Sequence, residues 1–120
     1  MSPEELEEEA LENEDDELLL VAADAWEEEG DIERAEVLRA GPFIRNETES
    51  FDPDATIAAV NRLASLSTRV LERSHDELLR RLNERGGRGV DLADEIDDIR
   101  RALAFRLYLS TRAAAKRRRR

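Results

Sequence analysis

The sequence predicts an all-α protein: a small helical bundle in which an N-terminal helical hairpin packs on a longer, C-terminal antiparallel helix pair. Apolar residues recur at spacings of three and four along most of the chain, as they do on the buried face of a helix. Cap residues, prolines and glycines mark where such stretches start and stop, and no segment alternates as a strand does. We therefore expect four or five helices, divided into an acidic hairpin unit (1–41), a linker (42–52), a helix pair (53–115) and a basic tail (116–120).

The first thirty residues predict two acidic helices. Ser2 can cap a helix that begins at Pro3, and Glu5 completes a capping box with it. This helix has little apolar surface to bury. A second helix over residues 15–29 has a broader apolar face, which includes Trp26.

A tight turn at Gly30 and Asp31 predicts a third, short helix. Glycine suits the left-handed position that ends a helix, and Asp31 can accept hydrogen bonds from the first turn of a helix over residues 32–40. The Gly-Pro pair that follows predicts the end of that helix. Residues 41–52 are therefore predicted to form a loop, which its aromatic side chains hold against the core.

The second half of the chain predicts two longer helices. An aspartate followed by proline starts a helix over residues 53–85, and the serines in its centre could let it bend or break near Ser74 and His75. A glycine-rich turn then precedes a last helix over residues 91–115. The inner stripe of this last helix is predicted to consist of Leu92, Ile96, Ile99, Leu103 and Leu107.

The last helix carries more apolar surface than its inner stripe needs. Phe105 and Leu109 lie off the predicted stripe, and Tyr108 lies beside them. Either these side chains contact the N-terminal hairpin, or they are exposed for a partner. Phe105, Tyr108 and Leu109 are therefore a candidate partner surface.

Charge is distributed unevenly along the chain. The net charge is −11, but residues 1–40 carry 17 acidic residues against 2 arginines, whereas no acidic residue occurs from Arg100 onward. Six basic residues near the C-terminus are candidate contacts for phosphates or for an acidic partner: Arg112, Lys116, Arg117, Arg118, Arg119 and Arg120. Their partner could be a nucleic acid, an acidic protein surface (including the chain's own residues 4–17) or a membrane surface, or they could only solubilise the chain.

A resemblance to a known family is carried by residues 14–39, which read EDDELLLVAADAWEEEGDIERAEVLR. They resemble the short repeat-companion domain found beside repeats in large bacterial proteins. The matching positions are Asp15-Asp16, Leu20-Val21, Ala23-Asp24, Glu27-Glu28, Gly30-Asp31, Glu33-Arg34-Ala35-Glu36 and Arg39. Ala25 and Ile32 stand where that family has Trp and Pro.

The same stretch is also similar to a single tetratricopeptide hairpin. Ala23, Trp26, Gly30 and Ala35 match the spacing of that repeat. Both resemblances imply a helical packing or protein-contact unit, and neither implies catalysis.

Several reactive chemistries find no support in the sequence. The absence of cysteine excludes disulfides, thiolate zinc sites and cysteine nucleophiles. Ser74, His75 and Asp76 are consecutive on a helix, so their side chains diverge rather than converge into a triad. The carboxylate clusters lack the Glu-x-x-His motifs of dinuclear metal bundles. We therefore predict no catalytic residue, no cofactor and no metal.

These observations predict a non-catalytic protein-interaction, adaptor or regulatory module. Self-association is one form of that function, driven by the opposite charges of the two ends. The alternative is a small nucleic-acid-associated regulator that binds phosphates through its C-terminal arginines. The sequence begins without a signal peptide and has no long apolar run, which predicts a cytoplasmic protein without membrane insertion.

Overall fold

Seven α-helices make up residues 1–118, the part of the chain that the computed structural model describes. No strand occurs in that range, so the predicted all-α class is confirmed. The helices are α1 (Pro3–Glu12), α2 (Asp16–Glu28), α3 (Ile32–Arg39), α4 (Gly41–Thr48), α5 (Pro53–Arg62), α6 (Thr68–Glu84) and α7 (Val90–Arg118).

The starts of the first three helices follow the local chemistry of the sequence. The Ser2 hydroxyl accepts a hydrogen bond from the Glu5 backbone N–H over 3.2 Å, within a complete capping box. Asp15 and Asp31 cap α2 and α3 in the same way. Gly30 has a φ of +92°, the left-handed conformation that was expected between α2 and α3.

The loop predicted over residues 41–52 is wrong for most of its length, because Gly41–Thr48 is helical. Proline is tolerated in the first turn of a helix, where its missing N–H leaves no hydrogen bond unmade, and Pro42 occupies that turn of α4. The Gly-Pro pair thus ends one helix and starts the next. Gly41 is needed for close packing, since a Cβ there would lie 2.7 Å from Leu19 Cδ2.

The single long helix predicted over residues 53–85 is also wrong. The chain leaves helical conformation after Arg62 and resumes it at Thr68, well before the predicted weak point at Ser74 and His75. Ser67 explains the new start, because its hydroxyl accepts a hydrogen bond from the Val70 backbone N–H over 3.2 Å. The result is two helices, α5 and α6.

Helix α7 is 29 residues long, or about 43 Å at 1.5 Å per residue, and it runs the length of the molecule. It begins one residue before the predicted Asp91 and continues past Ala115 through residues 116–118, so this part of the predicted basic tail is helical. Arg119 and Arg120 lie outside the described residues. Helices α4, α5 and α6 all pack on α7.

One member of the predicted inner stripe of α7 is exposed to solvent. Leu107 is 54% exposed, whereas Ala102 and Phe105 are buried instead. The buried face turns around α7 along its length because the first half packs on α6 while the second half packs on α3 and α4. A single apolar stripe of constant spacing, as the sequence predicts, does not follow this change of packing partner along α7.

Three apolar clusters form the core. The first joins α1, α2 and α3 around Leu19 and Leu38, the second joins α3, α4 and α7 around Ile44, and the third joins α5, α6 and α7 around Leu71 and Ile99. Helix α7 contributes to two of the three clusters. The N-terminal helices and the later helices meet in the second cluster.

A buried ion pair fastens α1 to α3. The Arg34 guanidinium donates through Nε and Nη2 to the two carboxylate oxygens of Glu7, over 2.7 and 2.6 Å. Its third nitrogen, Nη1, donates to Asp54 at the start of α5 over 2.8 Å. The Arg34 guanidinium carbon also lies 5.2 Å from the centre of the Trp26 ring. One arginine thereby links four helices.

Candidate functional site

The three residues of the predicted partner surface have different environments. Phe105 is buried in the second core cluster, which also contains Val37 of α3 and Ile44 of α4. Tyr108 is partly buried and packs edge-on against Phe43, with ring centres 5.7 Å apart. Leu109 is 40% exposed. Of the three, Leu109 alone is largely open to solvent.

The candidate basic contacts also divide into two groups. Arg112 donates a hydrogen bond to Glu36 on α3, whose carboxylate also pairs with Arg39 over 3.3 Å. Arg112 therefore pairs with an acidic residue of the chain itself. This residue, Glu36, lies outside residues 4–17, the acidic segment named above as a possible partner. Residues 116–118 are exposed on the last turn of α7.

Burial of Tyr108 gives the chain a measurable alkaline response. Burial raises the pKa of the Tyr108 phenol, the Glu36 carboxylate raises this pKa further, and Arg112 opposes both effects. In the unfolded chain the phenol loses its proton near pH 10, earlier than in the folded chain. We therefore expect the free energy of unfolding to fall as the pH rises above about 10.

This prediction can be checked spectroscopically, because Tyr108 is the only tyrosine in the sequence. Tyrosinate absorbance at 295 nm should rise with a midpoint above about pH 10 in the folded protein and near it in denaturant. Unfolding curves of Tyr108→Phe should lose the part of the alkaline slope that this phenol causes. If the free energy of unfolding of Tyr108→Phe falls as steeply above about pH 10 as that of the wild type, groups other than this phenol cause the fall.

A cleft of about 660 Å³ opens between α4, α6 and α7. Helix α7 supplies most of its lining, and α4 and α6, which both pack on α7, leave Leu107 54% exposed there. The lining residues are Glu47 from α4, Thr68, Glu72 and His75 from α6, and Arg100, Leu103, Ala104, Arg106, Leu107 and Ser110 from α7.

Two arginines of the cleft hold its walls in place. Arg100 Nε donates to His75 Nε2 over 3.0 Å, which joins α7 to α6 and requires that this imidazole nitrogen be unprotonated. Arg106 donates through Nη2 to the backbone carbonyls of Leu63 and Leu66 and through Nη1 to Thr68 Oγ1, over 2.7 to 3.1 Å. These bonds satisfy carbonyls at the end of α5 and fix the α5–α6 turn.

Chemically, the cleft combines apolar surface from α7 with charged residues from α4 and α6. Leu103 and Leu107 supply the apolar surface, while Glu47 and Glu72 supply negative charge on the two sides. Such a surface suits recognition of an amphipathic partner, in which apolar contact gives affinity and the charges fix orientation. Within residues 1–118, no group of three or more potential metal ligands comes together.

The cleft is not predictable from the sequence. The surplus of apolar residues near the end of α7 was the available signal, but the pattern assigned it to Phe105 and Leu109 and placed Leu107 in the core. Only the positions of α4 and α6 show that Leu107 is the uncovered residue.

Comparison of the chain with protein-family models, with curated proteins and with solved structures gave no match. None of the helices in residues 1–118 combines the length and the apolar character needed to cross a membrane.

Proposed function

We propose that the chain is a non-catalytic protein-interaction module, with an adaptor or regulatory role, that binds its partner at the cleft between α4, α6 and α7. The observation that carries the proposal is Leu107, which is 54% exposed and lines the cleft. When a partner covers such an apolar side chain, the free energy of the complex is lowered. Contacts from which water is excluded often contribute most of the binding free energy.

The edges of the cleft support a protein partner. Glu72 is exposed on one side and Glu47 on the other, so both can pair with basic side chains that flank an apolar anchor. The resemblance of residues 14–39 to repeat-companion and tetratricopeptide hairpins supports the same class of function. The proposal includes the predicted architecture, in which an N-terminal helical hairpin packs on an antiparallel helix pair and so positions the cleft.

The test is site-specific photocrosslinking in cells that express the chain. A photoreactive amino acid at position 107 should give discrete protein adducts on gels, because the partner covers this position. The same amino acid at Arg69 or Asn83, which are exposed on α6, should give none or different ones. Absence of any adduct at position 107 would overturn the proposal.

A second candidate function is binding of nucleic acid, and the exposure of residues 116–118 on the final turn of α7 favours it. These three cations, with Arg119 and Arg120 after them in the sequence, could contact successive phosphates. Binding of a generic DNA or RNA probe should then weaken steeply as salt is raised, and nuclease should remove the crosslinked adducts. Nuclease-resistant adducts with no probe binding favour the protein-interaction function.

A further inference from the structure

One side of α2 is exposed along the whole length of the helix. Seven of its residues fall within an arc of about 140° around the helix axis, and all of them are exposed. The other side chains of α2 are buried or half-buried, because α2 packs on α1 and α3 through that side. We call the exposed side the outer face of α2. It consists of Asp16, Glu17, Leu20, Val21, Asp24, Glu27 and Glu28.

Two aliphatic side chains lie in the middle of this outer face. Leu20 is 50% exposed and Val21 is 51% exposed. Single exposed aliphatic residues are common on protein surfaces, but these two are adjacent and form one continuous apolar patch. A partner that covers the patch removes it from water and so lowers the free energy of the complex.

The surroundings of the patch are negatively charged. Neither α1 nor α2 contains a basic residue. Arg39 and Arg45, from α3 and α4, pair with three acids of the outer face. The other two acids, Glu17 and Glu28, form no ion pair within residues 1–118. A complementary partner therefore carries positive charge beside its apolar surface.

The last residues of α7 have this complementary chemistry. Residues 114–118, which we call the α7 end, are all exposed. Five consecutive helical residues point in every direction around the axis, so no other helix of the described chain covers the α7 end. None of its cations forms an ion pair within residues 1–118. The α7 end consists of Ala114, Ala115, Lys116, Arg117 and Arg118.

The α7 end lies beyond the last contacts that hold this helix to the molecule. Phe105 and Tyr108 pack in the second core cluster, and Arg112 pairs with Glu36 on α3. A turn of helix without tertiary contacts is marginally stable in water, and its neighbouring cations repel one another even though they suit a helix C-terminus. A surface that supplies apolar contact and negative charge would stabilise it.

We propose that the α7 end of one copy of the chain docks on the outer face of α2 of a second copy. Its two alanines are small, so the helices can approach closely enough to cover Leu20 and Val21. Its three cations then lie beside Glu17, Glu28 and the exposed acids of the neighbouring α1. Because the two surfaces differ, association gives either a reciprocal dimer or an open chain of copies.

A charge-swap experiment on the full chain tests this docking. The wild type should sediment as a dimer or a larger species in low salt. Its dissociation constant should rise by about tenfold or more in about 0.5 M salt, because the ion pairs are near the surface. Glu17→Lys/Glu28→Lys and Lys116→Glu/Arg117→Glu/Arg118→Glu should each weaken association by at least about tenfold.

A mixture of the two charge-swap variants gives the sharpest result. In each variant alone, the outer face of α2 and the α7 end carry like charges, which repel. In an equimolar mixture, the acidic α7 end of one variant meets the lysines on the outer face of the other, and the reverse contact is complementary too. Association should therefore return in the mixture, and its failure to return would overturn the proposed docking.

A matched control separates the contact from net charge. Asp91→Lys/Asp94→Lys changes the same number of charges as the α2 variant, on exposed acids at the start of α7, and it should leave association unchanged. Equal weakening by this control would show that net charge governs association and would overturn the proposal. Circular dichroism should show equal helix content in all of the variants.

The apolar patch has a test of its own. Leu20→Ser should weaken association by about tenfold in low and in high salt, because apolar contact is not screened. Val90→Ser, at a position that is 75% exposed on α7, should not weaken it. Equal dissociation constants for these two variants would remove the outer face of α2 from the interface and so overturn the docking.

This surface is separate from the cleft of the proposed function, and the two tests are independent. A strict monomer up to about 200 µM at both salt concentrations would overturn self-association. Association that neither charge-swap variant weakens would place the contact elsewhere and would also overturn this inference. Neither result bears on crosslinking at position 107, which tests the cleft.

Discussion

Replacement of Leu71 by alanine is expected to lower the free energy of unfolding by about 2–4 kcal/mol and to release α6 from the rest of the molecule. Leu71 is the only residue of α6 that is buried, and it lies in the third core cluster with Leu63 and Ile99. The other α6 side chain in this cluster, Leu78, is only partly buried, and clefts of about 660 and 340 Å³ lie beside the helix. One truncated side chain should therefore loosen a 17-residue helix.

The measurement is amide hydrogen exchange together with denaturant unfolding. Amides of α6 should exchange faster in Leu71→Ala, while those of α2 and α3, which belong to another cluster, should keep their protection. Val70→Ala is the matched control, since Val70 is adjacent and 42% exposed, and it should cost less than about 1 kcal/mol. Equal costs for the two variants would show that Leu71 does not anchor α6.

Replacement of Arg34 by methionine is expected to cost about 2–4 kcal/mol, because it leaves the Glu7 carboxylate without its partner in a buried position. The side chains of Arg34 and Glu7 are only 17% and 11% exposed. The paired carboxylates raise the pKa of Arg34 above its ordinary value, Glu7 more strongly than Asp54, so the arginine stays charged at any pH at which the protein folds.

A double variant separates the contribution of the Glu7–Arg34 ion pair to stability from that of the packing around it. Glu7→Leu/Arg34→Met removes both charges and keeps apolar volume, so it should recover much of the stability lost in Arg34→Met. The control is Arg80→Met, whose pairs with Glu77 and Glu84 are exposed to solvent, so that their loss should change the free energy of unfolding far less. Denaturant unfolding at neutral pH measures all three. No recovery in the double variant would mean that Arg34 acts through its other contacts, at Asp54 and Trp26.

The starts of most helices could be predicted because their causes are local. Ser2, Asp15, Asp31 and Asp52 each accept a hydrogen bond from a backbone N–H three residues later, and the sequence alone contains that information. Gly41-Pro42 is ambiguous in the sequence, because the same two residues can end one helix and start another. The choice depends on whether Ile44 can be buried, and that is decided by α7, far away in the sequence.

The candidate site was less predictable for the same reason. The surplus of apolar residues and the basic end of the chain are visible in the sequence, but Phe105 is buried only because α3 and α4 cover it. The partner of Arg112, Glu36, is 76 residues away in the sequence. Opposite net charges at the two ends indicate that pairs exist without indicating which residues form them.

The position of α7 at the centre of the later helices has a consequence for synthesis on the ribosome. Most of the cluster shared by α1, α2 and α3 comes from these three helices, with Phe51 added later in the sequence, so we expect this part to begin folding before α7 is translated. Helices α4, α5 and α6 dock on residues that are translated after them. Until those residues emerge, we expect Ile44 and Leu71 to remain uncovered, while the high density of charge in the chain opposes association of such segments.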